Sequence, residues 1–316
     1  MKFRFLLFCA FTLPLFCWAQ YPVKVVRLVV PYPPGGGADI VARLIAPRMA
    51  EGLGQSVVID NRPGAAGNIG ADQVAKSAAD GYTLLLHTST VAMSPALGAL
   101  PYDLLRDLAP VAHVAETAMV IAVHPSVPAR SLPELIELAR KQPGKLAYST
   151  CGNASPMHLA GELLKMQAAI DLVHVPYKGC APALADVLGG QVPVAFNTIS
   201  NTVAHEKSGR IRLLAVASRA RAPQFPGLPT VAEAGISGYE AAIWFGMFAP
   251  AGTPREIIQR INNEANRAAA APEARDKLAA QFYDVRAGSA EQFAAFVRAE
   301  VTRWAQVIRD ARIKGE

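Results

Sequence analysis

No apolar run in this 316-residue chain reaches the roughly 20 residues that a membrane span needs. Phe5–Phe16 is twelve residues long, and Val111–Val123 is broken by His113 and Glu116. Basic clusters are also missing. The formal charge is +6, but Lys and Arg are scattered among acids, which argues against a nucleic-acid partner. Neither Gly-x-Gly-x-x-Gly nor Gly-Lys-Ser/Thr occurs, so neither common nucleotide fingerprint is present. The six histidines are dispersed without metal-ligand spacing, and no metal or cofactor is expected. Only four cysteines occur, and Cys9 and Cys17 fall within the first twenty residues.

Those first residues have the layout of a secretory signal. Lys2 and Arg4 supply the charge, Phe5–Phe16 the apolar run, and Cys17-Trp18-Ala19 a small-x-small cleavage site before Gln20. A lipidated Cys17 is disfavoured because Phe16 is not small. Removing residues 1–19 lowers the formal charge from +6 to +4 and implies export. Export places Cys151 and Cys180 where disulfides persist. Each follows a predicted strand, so both can reach one wall of a cleft. A Cys151–Cys180 bridge is the reading, against two small buried thiols.

Short β-rich runs then alternate with amphipathic helices, an α/β pattern with largely parallel sheets. Strands are expected at Val25–Val30, Val57–Asp60, Thr83–His87, Leu146–Ser149, Leu172–Val175, Val192–Asn197 and Leu213–Ala217. A helix near Ala38–Gly52 puts Ile40, Val41, Leu44, Ile45 and Met49 on one face. The long stretch Val111–Val123 can run from one domain into another, and Glu240–Phe248 reads as the return. Capping boxes are expected at Ser131–Glu134, Thr253–Glu256 and Ser289–Gln292, with the last third packing back on the first domain. Two crossings between two domains make a hinge over a cleft.

Pro31-Tyr-Pro-Pro-Gly-Gly-Gly-Ala-Asp-Ile40 is the most telling segment. It joins a strand to a helix start through bare backbone, where unpaired N–H groups and the helix dipole attract an anion. A second glycine loop, Gly64-Ala-Ala-Gly-Asn68, follows the next strand, so two sets of donors can share one crevice. Ser149–Pro156 could hold a nucleophile, Cys151 or Ser155. It lacks Gly-x-Ser-x-Gly, and no orienting acid accompanies Cys151 and His158. His158 and Glu162, four apart, read as a helix contact rather than a metal pair. Tyr177 is the better cleft-facing donor and Lys178 a solvated loop charge. Trp244 and Phe245 could wall a pocket or lie in the core.

Taken in order, Pro31–Asp39, Asn61–Gly70, Asp80–Thr83, His158–Glu162, Val175–Gly179, Gly189–Gln191 and Phe248–Pro254 resemble the Bug-type extracytoplasmic solute receptors of tripartite tricarboxylate transporters. The resemblance covers the chain beyond the signal. It implies a periplasmic, two-lobed type II binding-protein fold with mixed, mostly parallel sheets and a central cleft. The lobes would be residues 20–117 with 246–316, and residues 118–245. It implies a small carboxylate held by main-chain amides, and transporter membrane subunits as transient partners of a monomer without catalytic activity. The ligand-binding set it implies is Tyr32, Gly36, Gly37, Asp39, Ala66, Gly67, Asn68 and Ser89 in one lobe. In the other it is Asn153, Ser155, His158, Tyr177, Lys178, Gly179 and Asn197. Amino-acid binders of the family often carry an aspartate near position 197, so neutral Asn197 points to a ligand without an amine. Two other readings stand beside the receptor: a ligand-sensing subunit for a sensor kinase, and a secreted hydrolase using Cys151 or Ser155.

Overall fold

The structure, a computed structural model, describes residues 21–315; the signal reading of residues 1–19 lies outside them. In the first third, β1 (Val26–Val30), α1 (Gly37–Leu53), β2 (Val57–Asn61), α2 (Asn68–Ala75), β3 (Thr83–Thr88), α3 (Thr90–Leu97) and α4 (Leu104–Asp107) follow one another. A long strand, β4 (Leu108–Val123), leads to α5 (Leu132–Lys141), β5 (Ala147–Thr150), α6 (Pro156–Ala168), β6 (Val173–Pro176), α7 (Cys180–Leu188), β7 (Val194–Thr198), α8 (Ile199–Lys207) and β8 (Arg212–Val216). The chain returns through β9 (Ala242–Pro250) to α9 (Arg255–Ala270), α10 (Pro272–Ala280), β10 (Tyr283–Val285) and α11 (Ala290–Asp310).

Parallel pairing joins β2-β1-β3 on one side and β6-β5-β7 on the other. The crossing strands supply the antiparallel part. β9 lies between β3 and the first part of β4, with Ala118 opposite Ala242. From Met119 onward β4 pairs instead with β7 and β8. One strand therefore serves two sheets, and its partners change between Ala118 and Met119.

Packing explains why these segments fold as they do. α1 buries Val41, Ile45 and Met49, a stripe at helical spacing, against Val26, Leu28 and Leu84. The other face of that sheet is covered by α2 and the start of α11, through Val74, Phe293 and Val297. On the second sheet α5 and α6 bury Leu135, Leu159 and Leu164 with Tyr148 and Phe196.

Two expectations give way to tertiary packing. Thr253 does not cap α9; its hydroxyl turns back and donates to the Pro250 carbonyl at 2.7 Å. Nor does all of α11 stay with the first sheet, because Trp304, Val307 and Ile308 join the core of the second. The box at Ser289–Gln292 is complete. At Ser131 only half forms, since the Glu134 carboxylate accepts from the Arg130 N–H.

Candidate ligand-binding cleft

Strand direction places the site. β3 runs toward the crossing and ends with Thr88 opposite Phe245, which also pairs with Ala115 of β4. β7 approaches from the far side and ends with Thr198 opposite Met119. The two ends are four residues apart along β4, about 13 Å at strand rise. The carboxyl ends of both sheets thus face each other across the crossing strands, where open α/β sheets place ligands.

Six helices begin at these ends. Five of them, α1, α2, α3, α7 and α8, have no side-chain cap; only α6 does. Away from the crossing, α4, α5 and α11 are capped by Asp103, Ser131 and Ser289, while α9 and α10 start without one. An uncapped helix start leaves main-chain donors free and carries partial positive charge.

In the first lobe the glycine loop is held from below. Asp39 is buried and accepts from Gly35 N at 2.9 Å, Arg43 Nε at 2.8 Å and Asn61 Nδ2 at 3.0 Å. Burial alone would raise its pKa, but these bonds together hold it below the usual value. Its carboxylate is consumed in shaping the loop and would repel an anion, so Asp39 supports the amides rather than joining them. Gly37 opens α1 where no side chain fits: a Cβ would stand 2.9 Å from the Tyr283 hydroxyl and 3.3 Å from Phe245.

The second loop is a left-handed turn. Ala65 and Ala66 have φ of 48° and 53°, and Gly67 has φ of 95°. Each alanine costs roughly 1 kcal/mol in that conformation. Within this turn the Gly67 N–H donates to Gly64 O at 3.0 Å and the Asn68 N–H to Ala65 O. Gly67 also leaves room for His87, whose Nε2 would lie 2.5 Å from a Cβ there. Asn68 is half-buried, and its Oδ1 accepts from Tyr102 at 2.9 Å.

Tyr32 is not a free donor. Its hydroxyl shares a ring of hydrogen bonds with Thr88 Oγ1 at 2.7 Å and Thr90 Oγ1 at 2.6 Å, themselves 2.8 Å apart. Burial raises its pKa against those two bonds. Ser89, between the threonines, is fully buried with no partner for Oγ among the described residues. Thr88, Thr90 and His87 were absent from the sequence-derived set. A histidine interrupting the apolar run Leu84-Leu85-Leu86 was the available signal.

The second lobe arrives more occupied. Ser155 caps α6, accepting from His158 N at 3.3 Å and donating to Gly152 O at 2.7 Å. His158 accepts from Ala154 N at 3.0 Å and stacks on His174, with centroids 3.7 Å apart. Burial lowers the pKa of both rings, that of His174 to about 3. Tyr177 donates to Asp186 at 2.5 Å; burial and that carboxylate push its hydroxyl up to about 12. The Asn153 side-chain amide donates to Lys314 O at 3.1 Å. Lys178 is exposed, and Gly179 donates its N–H to Cys151 O at 3.1 Å. Cys151 and Cys180 form a disulfide that ties the loop after β5 to the start of α7. Asn197 is fully buried, its Oδ1 accepting from Thr198 N and Asn201 Nδ2 while its Nδ2 has no partner among the described residues. Trp244 belongs to the core, donating to Glu300 at 2.9 Å.

The geometry therefore brings the glycine loops, Thr88–Thr90, Asn153–Ser155, Tyr177–Gly179 and Thr198 to the facing strand ends. The side chains of Asp39, Ser89, His158 and Asn197 are buried in the walls. What the two walls offer is main-chain N–H groups and hydroxyls.

Two α/β lobes joined by crossing strands, with six helix starts gathered at the facing strand ends, have the architecture of a solute-binding protein. The chain belongs to the TctC family, the tripartite tricarboxylate transporter family receptors, whose model matches residues 41–313. It is 37% identical to BugT of Bordetella pertussis over 297 residues, 93% of this chain and 91% of that one. R. palustris Rpa4515, solved with adipate, superposes with a TM-score of 0.79 at 38% identity, covering 94% of this chain and all of the other. MatC of Rhodopseudomonas palustris, with bound malate, gives 0.74 at 32% identity, over 91% and 100%.

Proposed function

We propose that this receptor works in the periplasm, capturing a small carboxylate between its lobes and delivering it to the membrane subunits of a tripartite tricarboxylate-type transporter. The carrying observation is the set of five uncapped helix starts at the converging strand ends. Such amides attract negative charge without a cationic side chain, and lobe closure would strengthen each contact by excluding water. Adipate in Rpa4515 and malate in MatC support a dicarboxylate as the class to test first. Residues 20–117 with 246–316 would form one lobe and residues 118–245 the other, α11 bridging them. The protein would act as a monomer, without nucleic acid, and would catalyse nothing. Cys151 is engaged in its disulfide and the Ser155 hydroxyl in a helix cap, so neither stands ready as a nucleophile.

A thermal-shift panel tests this reading. Adipate, malate, succinate, benzoate and glutamate are compared with the neutral amides of the same acids. A cognate acid at about a hundred times its Kd should stabilise the fold by roughly 2.7 kcal/mol. Its amide should have little effect. Equal stabilisation by acid and amide, or none by any acid, would contradict an amide cradle for a carboxylate. Uptake by a strain lacking the gene separates transport from sensing: normal uptake with lost gene induction would favour the sensor.

A further inference from the structure

We infer that Tyr283, on β10, is a ligand-contacting residue whose hydroxyl joins the first N–H groups of α1 in holding the carboxylate. This rests on the receptor reading above. Tyr283 comes from the far end of the sequence, yet it pairs with Thr117 of β4, two residues before the strand changes sheets. Its ring packs edge-on against Phe245, with centroids 5.4 Å apart. Its hydroxyl lies beside Gly37, the first residue of the 17-residue α1, at 2.9 Å from where a Cβ would be. The glycine is thus what admits the hydroxyl to the head of the helix.

The hydroxyl makes no side-chain or main-chain hydrogen bond among the described residues. Tyr283 is 8% exposed, and its hydroxyl is not among the sealed unpartnered atoms, so it still opens to solvent and to whatever binds there. Tyr21, Tyr32, Tyr82, Tyr102, Tyr148, Tyr177 and Tyr239 all hydrogen-bond to the described residues. Tyr283 makes no such bond among them. Burial raises its pKa, so at neutral pH it keeps its proton and can only gain by meeting an acceptor. An anionic oxygen at the head of α1 would accept from the helix amides and from this hydroxyl together.

Calorimetric titration of the mature chain with adipate, malate, succinate, benzoate and glutamate tests the assignment, using the tightest acid for the variants. Tyr283→Phe keeps the ring and removes only the O–H. It should raise Kd about tenfold or more, the weight of a hydrogen bond to a charged group, with the ligand-free thermal midpoint unchanged. Gly37→Ala should cost similar affinity by displacing the hydroxyl, and the double variant should be little worse than the poorer single. A Tyr283→Phe Kd within twofold of wild type would overturn the inference and leave the receptor reading intact. So would a loss of affinity matched by a fall in ligand-free stability, which marks a core residue. Failure of every acid to bind wild type would bring down both readings.

Discussion

His87 sits in an apolar strand, fully buried, and burial lowers its pKa to about 4 despite the hydrogen bond to the Thr88 carbonyl. The Thr88 carbonyl 3.0 Å away can only accept, so Nδ1 carries the proton and Nε2 is bare. The folded pKa lies below the unfolded value of 6.5, so between those values the unfolded chain binds more protons. Stability is complete above about pH 6.5 and falls as pH drops toward 4, by roughly 3 kcal/mol from this residue. His174, lowered to about 3, works in the same direction. Thermal midpoints measured from pH 7 to 4 should fall steeply for wild type and less for His87→Gln. An identical slope in the variant would remove His87 from that account. At this scale the sequence told part of the story. The glycine loops were legible as strand-to-helix turns, because bare backbone between an apolar run and a helical pattern is a local signal. Asp39 and Tyr32 were assigned to the ligand because their neighbours in space, Arg43 with Asn61 and Thr88 with Thr90, cannot be read from a linear string. Tyr283 gave no signal, since only the pairing of β10 with β4 brings it to Gly37.

Strands and helices of the first two thirds were readable from their alternation, because each buries one face against its own sheet. α11 was not, because its 21 residues serve two cores in turn. At its middle, buried Glu300 accepts from Trp244 Nε1 at 2.9 Å and from Trp304 Nε1 at 3.1 Å. One indole belongs to the returning strand and the other to the second core. Arg303 pairs with the same carboxylate at 2.5 Å and donates to the Glu240 carbonyl. Replacing Glu300 by Ala leaves two buried indole N–H groups without an acceptor and removes the Arg303 ion pair. A loss of about 3 kcal/mol or more is expected in denaturant unfolding. Glu300→Gln, which retains one acceptor, should lose less. A neutral Glu300→Ala would show that this junction is not what fastens α11. The missed cap at Thr253 and the short β10 have the same origin: local pattern sets a preference that a distant contact overrides.

Across the whole molecule, β4, the chain entering β9 and α11 run between the two sheets, the junctions lying at Ala118–Met119, at the Ala241 N–H bonded to Ala217 O, and at Glu300 in the middle of α11. Both walls present main-chain donors, so a carboxylate between them can be shared by two lobes that otherwise touch little chemistry of their own. Amide chemical shifts during titration with the tightest-binding acid test this most directly. The account predicts that the largest downfield shifts fall on Gly37, Ala38 and Ala66, with smaller ones at the starts of α7 and α8. Saturable binding that leaves those amides unmoved, with shifts confined to other surfaces, would contradict it.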